Sequence, residues 1–107
     1  MVKNWQDRAA EFSQKRNFPH SPTVYVLDVL SELGEVAKEI LLATNYGSQD
    51  AAMRPELSEE LGDLLFSVCQ LATAAEVDLE EAFTAVLHKY ETRWQEKGHT
   101  GSETAAS

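Results

Sequence analysis

With a single cysteine, Cys69, the chain cannot close an internal disulfide. A lone thiol inside the apolar segment 64–75 reads as a buried, reduced side chain rather than a nucleophile. Long apolar runs are also missing. The longest span four residues, as at 24–27 and 40–43, whereas a membrane helix needs about 20. The opening residues, Met1-Val-Lys-Asn-Trp-Gln-Asp-Arg, lack the apolar stretch of a signal peptide. These absences predict a cytoplasmic protein without a membrane partner.

Positive charge is scarce. Nine Lys and Arg stand against eighteen Asp and Glu, for a net charge of −9 at pH 7. A polymeric nucleic acid is held by basic side chains that neutralise its phosphates, so this balance argues against DNA or RNA as a partner. It leaves room for a nucleotide, because divalent cations can stand between a polyphosphate and an acidic protein.

Alternating strand patterns are absent, and four stretches have helical spacing. The first covers residues 3–15, with Trp5, Ala9 and Phe12 on one face. Residues 17–21, with Pro19 among them, read as a connection. Ser21 and Pro22 then match an N-cap followed by proline at the first helical position. That second helix should run to about residue 44, where Asn45 and Gly47 supply stop signals. Pro55 opens a third helix to about residue 75. Asp78 and Glu81 have the spacing of a capping box for a fourth, ending near residue 95. The expected fold is all-α: a four-helix bundle over residues 1–96, with a disordered C-terminal tail at 97–107.

The acids are not scattered. On the second helix, taking Asp28 as zero, Glu32, Glu35 and Glu39 fall at about 40°, 340° and 20°. On the third, taking Glu56 as zero, Glu60 and Asp63 fall at about 40° and 340°. The two helices repeat at an offset of 28 residues and share a core of Glu-Leu-Gly-acid, with Gly34 and Gly62 inside it. Each glycine costs up to about 1 kcal/mol against alanine in a helix. Close approach of another helix or a ligand is expected to offset that cost.

A row of helical acids usually marks a solvated face. The second helix departs from that pattern, because apolar residues flank its acids on both sides. Leu33 and Ile40 lie at about 140° and 120°, Val24 and Leu42 at about 320°, and Tyr25 at about 60°. Carboxylates crowded in a covered site repel one another and lose hydration. Between Asp28 and Glu39 the only basic residue is Lys38. A divalent cation is the economical compensation, and carboxylate oxygens without Cys or His suit magnesium, with manganese as the alternative. A carboxylate-bridged di-iron bundle would need Glu-x-x-His on paired helices. The three histidines, His20, His88 and His99, do not supply that pair.

Glu32-x-x-Glu35, a gap of 24 residues, then Glu60-x-x-Asp63 resembles the signature of the MazG-like nucleoside triphosphate pyrophosphohydrolases. The likeness covers roughly residues 24–93. It implies an all-α domain working as a dimer or as a tetramer, a dimer of dimers. It implies Mg2+ held by Glu32, Glu35, Glu60 and Asp63, and cleavage of a nucleoside triphosphate between its α and β phosphates. House-cleaning of deoxy- or non-standard nucleotides is the role it suggests. In the fourth helix the family often carries Asn-x-Lys-aromatic-x-x-Arg. Here Lys89, Tyr90 and Arg93 match, while Leu87 stands in place of the asparagine.

The chemistry assigns further roles. Glu35 and Glu39 are both candidates for the general base that takes a proton from water. Lys89 and Arg93, at i and i+4, share a face that can hold phosphate oxygens. Trp5, Phe18, His20 and Tyr90, with Phe12 and Tyr25, are candidates for the wall against the base and sugar. Asp28 and Glu56 flank the motif and are expected beside the metal ligands rather than among them. Two other readings compete: a non-catalytic helical dimerisation module, and a hydrolase of another phosphorylated metabolite.

Overall fold

A polar cap or a proline marks where each helix starts. A computed structural model describes residues 3–18, 21–52 and 54–98, and all regular structure among them is helical. The element α1 spans Trp5–Gln14. Asn4 caps it, accepting from the Asp7 amide at 2.8 Å, while the Asp7 carboxylate accepts from the Asn4 amide at 3.3 Å. This reciprocal capping box lies at a site the sequence reading passed over. At Asp78, where a box was expected, only the forward bond forms, from the Glu81 amide at 3.1 Å.

The long helices α2, Pro22–Ala43, and α3, Pro55–Ala74, both begin at a proline. The end of α2 is sharp. Asn45, Tyr46 and Gly47 all take positive φ, and Thr44 Oγ1 accepts from the Gly47 amide at 3.0 Å. The last helix, α4, spans Leu79–Lys97 and closes on Gly98 in the left-handed conformation. It runs two residues beyond expectation, so Lys97 belongs to the helix and not to the tail. Residues 99–107 of that tail lie outside the described residues.

The chain divides into two compact units at Glu76 and Val77. In the first, α3 packs against both α1 and α2. Phe12 of α1 meets Phe66 of α3 edge-on, with centroids 5.9 Å apart, and Phe18 meets Phe12 at 6.0 Å. The Gln6 amide donates to Thr73 Oγ1 at 3.3 Å. The buried apolar residues are Ala9, Tyr25, Ala43, Cys69 and Ala72, a core of small side chains with one large aromatic. Burial pushes the Cys69 thiol above its ordinary pKa, as expected of an inert structural cysteine.

Much apolar surface stays uncovered in this unit. Leu30 is 66% and Leu27 60% exposed, and Val26, Leu33, Ile40 and Leu41 are exposed beside them on α2. A Cβ added at Gly34 or Gly62 would meet nothing within 4 Å. The close approach expected at these glycines is therefore not made by the helices of this unit. The second unit holds α4, whose Phe83, Leu87, Tyr90 and Trp94 are exposed along one stripe. No helix among the described residues is long and apolar enough to cross a membrane.

Candidate functional site

The seam between α2 and α3 collects the acids of the repeated motif. The helices run antiparallel, so residues advancing on one meet residues receding on the other. Tyr25 meets Gln70 at one end, their side chains joined at 3.4 Å. Asp28 and Ser67 follow, lining one cavity together. Next come Glu32, Glu60 and Asp63, whose ligand oxygens all lie within 4.8 Å of one another. At the far end Arg54 reaches Glu39 and Glu56.

The carboxylates at the centre are only partly covered. Glu32 and Glu60 are half-buried, and Asp63 and Glu35 are exposed. Desolvation holds the Glu60 carboxyl above its usual range, and the charges of Glu35, Asp63 and Glu32 push the same way. Glu35 thus faces the cluster electrically, although the tight oxygen triad does not include it. Among the described residues none of these four acids forms an ion pair with Lys or Arg. A site built of carboxylate oxygens alone, with repulsion unrelieved by protein cations, fits a hard divalent cation. An exposed acidic surface could spread its side chains into water, whereas these converge.

Glu39 lies elsewhere on the seam. It is 7% exposed, and Arg54 Nε stands 3.0 Å from its Oε1. The contact is off-line, so Oε1 has a charge partner but no hydrogen bond. Of the two acids flanking the motif, Asp28 lines the Tyr25 cavity and Glu56 lies 3.6 Å from Arg54 Nε.

Two cavities adjoin the acids and share Phe66. One, about 300 Å³, lies beside Phe18, Tyr25, Asp28, Ser67 and Gln70. The other, about 600 Å³, is an open groove between α1 and α3, where Trp5, Arg8 and Phe12 face Asp63. Trp5 and Phe18 therefore border spaces next to the acids. His20 lies outside the described residues. Tyr90, Lys89 and Arg93 belong to the second unit. There the Lys89 ammonium sits 5.4 Å from the Tyr90 ring centroid, and Arg93 is half-buried.

Sequence reasoning missed Gln70 and Arg54. Gln70 had a signal, being a lone amide in an apolar run, on the same face of α3 as Glu60 and Asp63. Arg54 had none, since only the folded loop brings it to Glu39.

The family model of the MazG nucleotide pyrophosphohydrolase domain matches residues 20–97, a span that contains all four signature acids. The uncharacterized protein YpjD of Bacillus subtilis (strain 168) is 36% identical over 76 residues, covering 68% of this chain and 67% of the relative. No solved structure matches the chain. With residues 20–97 matched, most of its length, the chain belongs to the MazG nucleotide pyrophosphohydrolase family.

Proposed function

We propose that this protein hydrolyses a nucleoside triphosphate to the monophosphate and pyrophosphate, using magnesium held by Glu32, Glu35, Glu60 and Asp63. One observation carries the reading: the oxygens of Glu32, Glu60 and Asp63 converge within 4.8 Å. Bound there, magnesium would neutralise charge on the phosphates and make a bound water more acidic.

The chain's own groups supply the rest. Glu35 is exposed beside Glu60 and takes the proton from the attacking water. Glu39, the other candidate base, is buried against Arg54 and is better suited to anchoring. Phe18 in the smaller cavity and Trp5 in the groove offer faces for base and sugar, and His20 and Tyr90 remain candidates for the same wall. Lys89 and Arg93 are the proposed phosphate contacts from α4.

The site is proposed to work within a dimer or a dimer of dimers. The exposed leucines of α2 need a cover, and a second copy presents the same stripe to itself about a two-fold axis. That stripe is also what a non-catalytic dimerisation module would show, while the converging acids favour the enzyme.

The deciding experiment incubates a nucleotide panel with the protein and magnesium and separates the products. Monophosphate with pyrophosphate supports the reading. Diphosphate with orthophosphate overturns the cleavage position. Turnover of other phosphorylated metabolites alone overturns the substrate class, and an inert protein restores the dimerisation module.

A further inference from the structure

The α2–α3 seam has a direction. At one end lies the cavity of Tyr25 and Gln70, in the middle the carboxylates, and at the other end a single guanidinium, that of Arg54. Glu39 follows Glu35 by four residues, about 6 Å of helical rise, so Arg54 stands one turn beyond the acids. This spacing is comparable to the reach of a triphosphate chain.

The side chain of Arg54 is held rather than free. Its Nε faces the buried Oε1 of Glu39 at 3.0 Å and Glu56 Oε2 at 3.6 Å. A buried carboxylate left without its cation is strongly unfavourable, so Glu39 keeps Arg54 in place. Both contacts use Nε. The side chain as a whole remains 42% exposed. A guanidinium fixed at one edge and open at the other can grip two phosphate oxygens at once. Arg54 is also the N-cap residue of α3, so the positive end of that helix lies beside it.

Resting on the pyrophosphohydrolase reading, we infer that Arg54 binds the β and γ phosphates, which depart as pyrophosphate, and that Glu39 is its positioning residue. The substrate then lies along the seam with its base toward Tyr25 and Gln70 and its polyphosphate tail toward Arg54. The α phosphate, at the acids, makes no contact with Arg54. Loss of the guanidinium should therefore weaken pyrophosphate and leave monophosphate alone.

The test is calorimetric titration of the full chain, in magnesium buffer, with inorganic pyrophosphate and separately with a nucleoside monophosphate. In R54Q the affinity for pyrophosphate should fall at least about tenfold, the lower end of what a charge-assisted hydrogen bond supplies. The affinities for monophosphate and for magnesium alone should hold. R54K, which keeps the charge without the fork, should recover part of the loss, and it carries the same comparison if R54Q does not fold. An unchanged pyrophosphate affinity overturns the assignment. So does an equal loss for pyrophosphate, monophosphate and magnesium, which would make Arg54 only a clasp between the helices. Either result leaves the enzymatic reading standing if the wild type still releases pyrophosphate. A wild type that releases none removes that reading and this assignment with it.

Discussion

Gln70 Nε2 stands 3.4 Å from the phenol oxygen of Tyr25, and this one bond ties together the two helices that carry the acids. Both side chains are almost fully buried, Gln70 at 4% and Tyr25 at 5% exposed. Removing the hydroxyl with Tyr25→Phe strands an amide out of reach of water. That should cost about 1–3 kcal/mol of stability, the penalty for a buried polar group left unpaired. Urea unfolding of the variant measures it. A wild-type midpoint and slope would mean that the amide has found another partner, and that the pair does not hold the seam.

The acid cluster makes a sharper demand. Glu60→Gln should lower the affinity for magnesium by at least about a hundredfold, since even the outer neighbours of metal ligands cost 10–100-fold when changed. The titration needs no nucleotide, so it separates metal binding from turnover. Glu80→Gln, on α4, removes the same charge far along the sequence and should bind magnesium as the wild type does. Equal affinities in all three proteins would return the acids to the role of a solvated face.

Much of this was legible before any coordinates. The period of the acids on residues 28–39 and 56–63 placed both stripes, and the two prolines fixed where α2 and α3 begin. What stayed hidden depended on long-range packing. No local pattern says that Arg54, in a loop, will lie against a glutamate fifteen residues earlier. Gly34 and Gly62 were legible as anomalies, but the neighbour expected to explain them is not found within the unit of α1, α2 and α3. The fourth helix was readable as a helix, whereas the reach of Lys89 and Arg93 toward phosphate is a tertiary question that helical spacing does not answer.

The raised pKa of Glu60 has a consequence for pH. Desolvation first, then the charges of Glu35, Asp63, Glu32 and Glu59, lift it above its ordinary value of 4.5. The folded protein therefore holds this proton more tightly than the unfolded chain. Between 4.5 and the raised value, the folded state binds more protons, so stability of the metal-free protein should fall as pH rises through that window. Magnesium competes with the proton for the same oxygens. Its stabilising effect should be small at the acid end and grow as the pH rises. Melting temperatures across pH, in chelator and in magnesium, would show two curves that separate upward. Parallel curves would show that the metal does not bind at Glu60.

The exposed face of α2 carries the last expectation. Leu30 and Leu27 project most of their surface into solvent, with Val26, Leu33 and Leu41 around them, and monomeric proteins seldom leave so continuous an apolar patch bare. On the helical wheel Leu30 lies about 200° from Asp28, on the side of α2 turned away from the acids. A second copy can therefore bury this face without blocking the site. Leu30→Glu places a charge at the centre of the patch, and in a two-fold contact it brings two such charges together. Because the side chain is exposed in the single chain, the substitution should leave the helices intact by circular dichroism. Sedimentation at micromolar concentration should show a dimer or larger species for the wild type and a monomer for the variant. If the site is bounded by both copies, activity should fall together with assembly and return where high concentration restores the dimer. A monomeric, fully active wild type would refute the arrangement and leave the apolar face of α2 to some other cover.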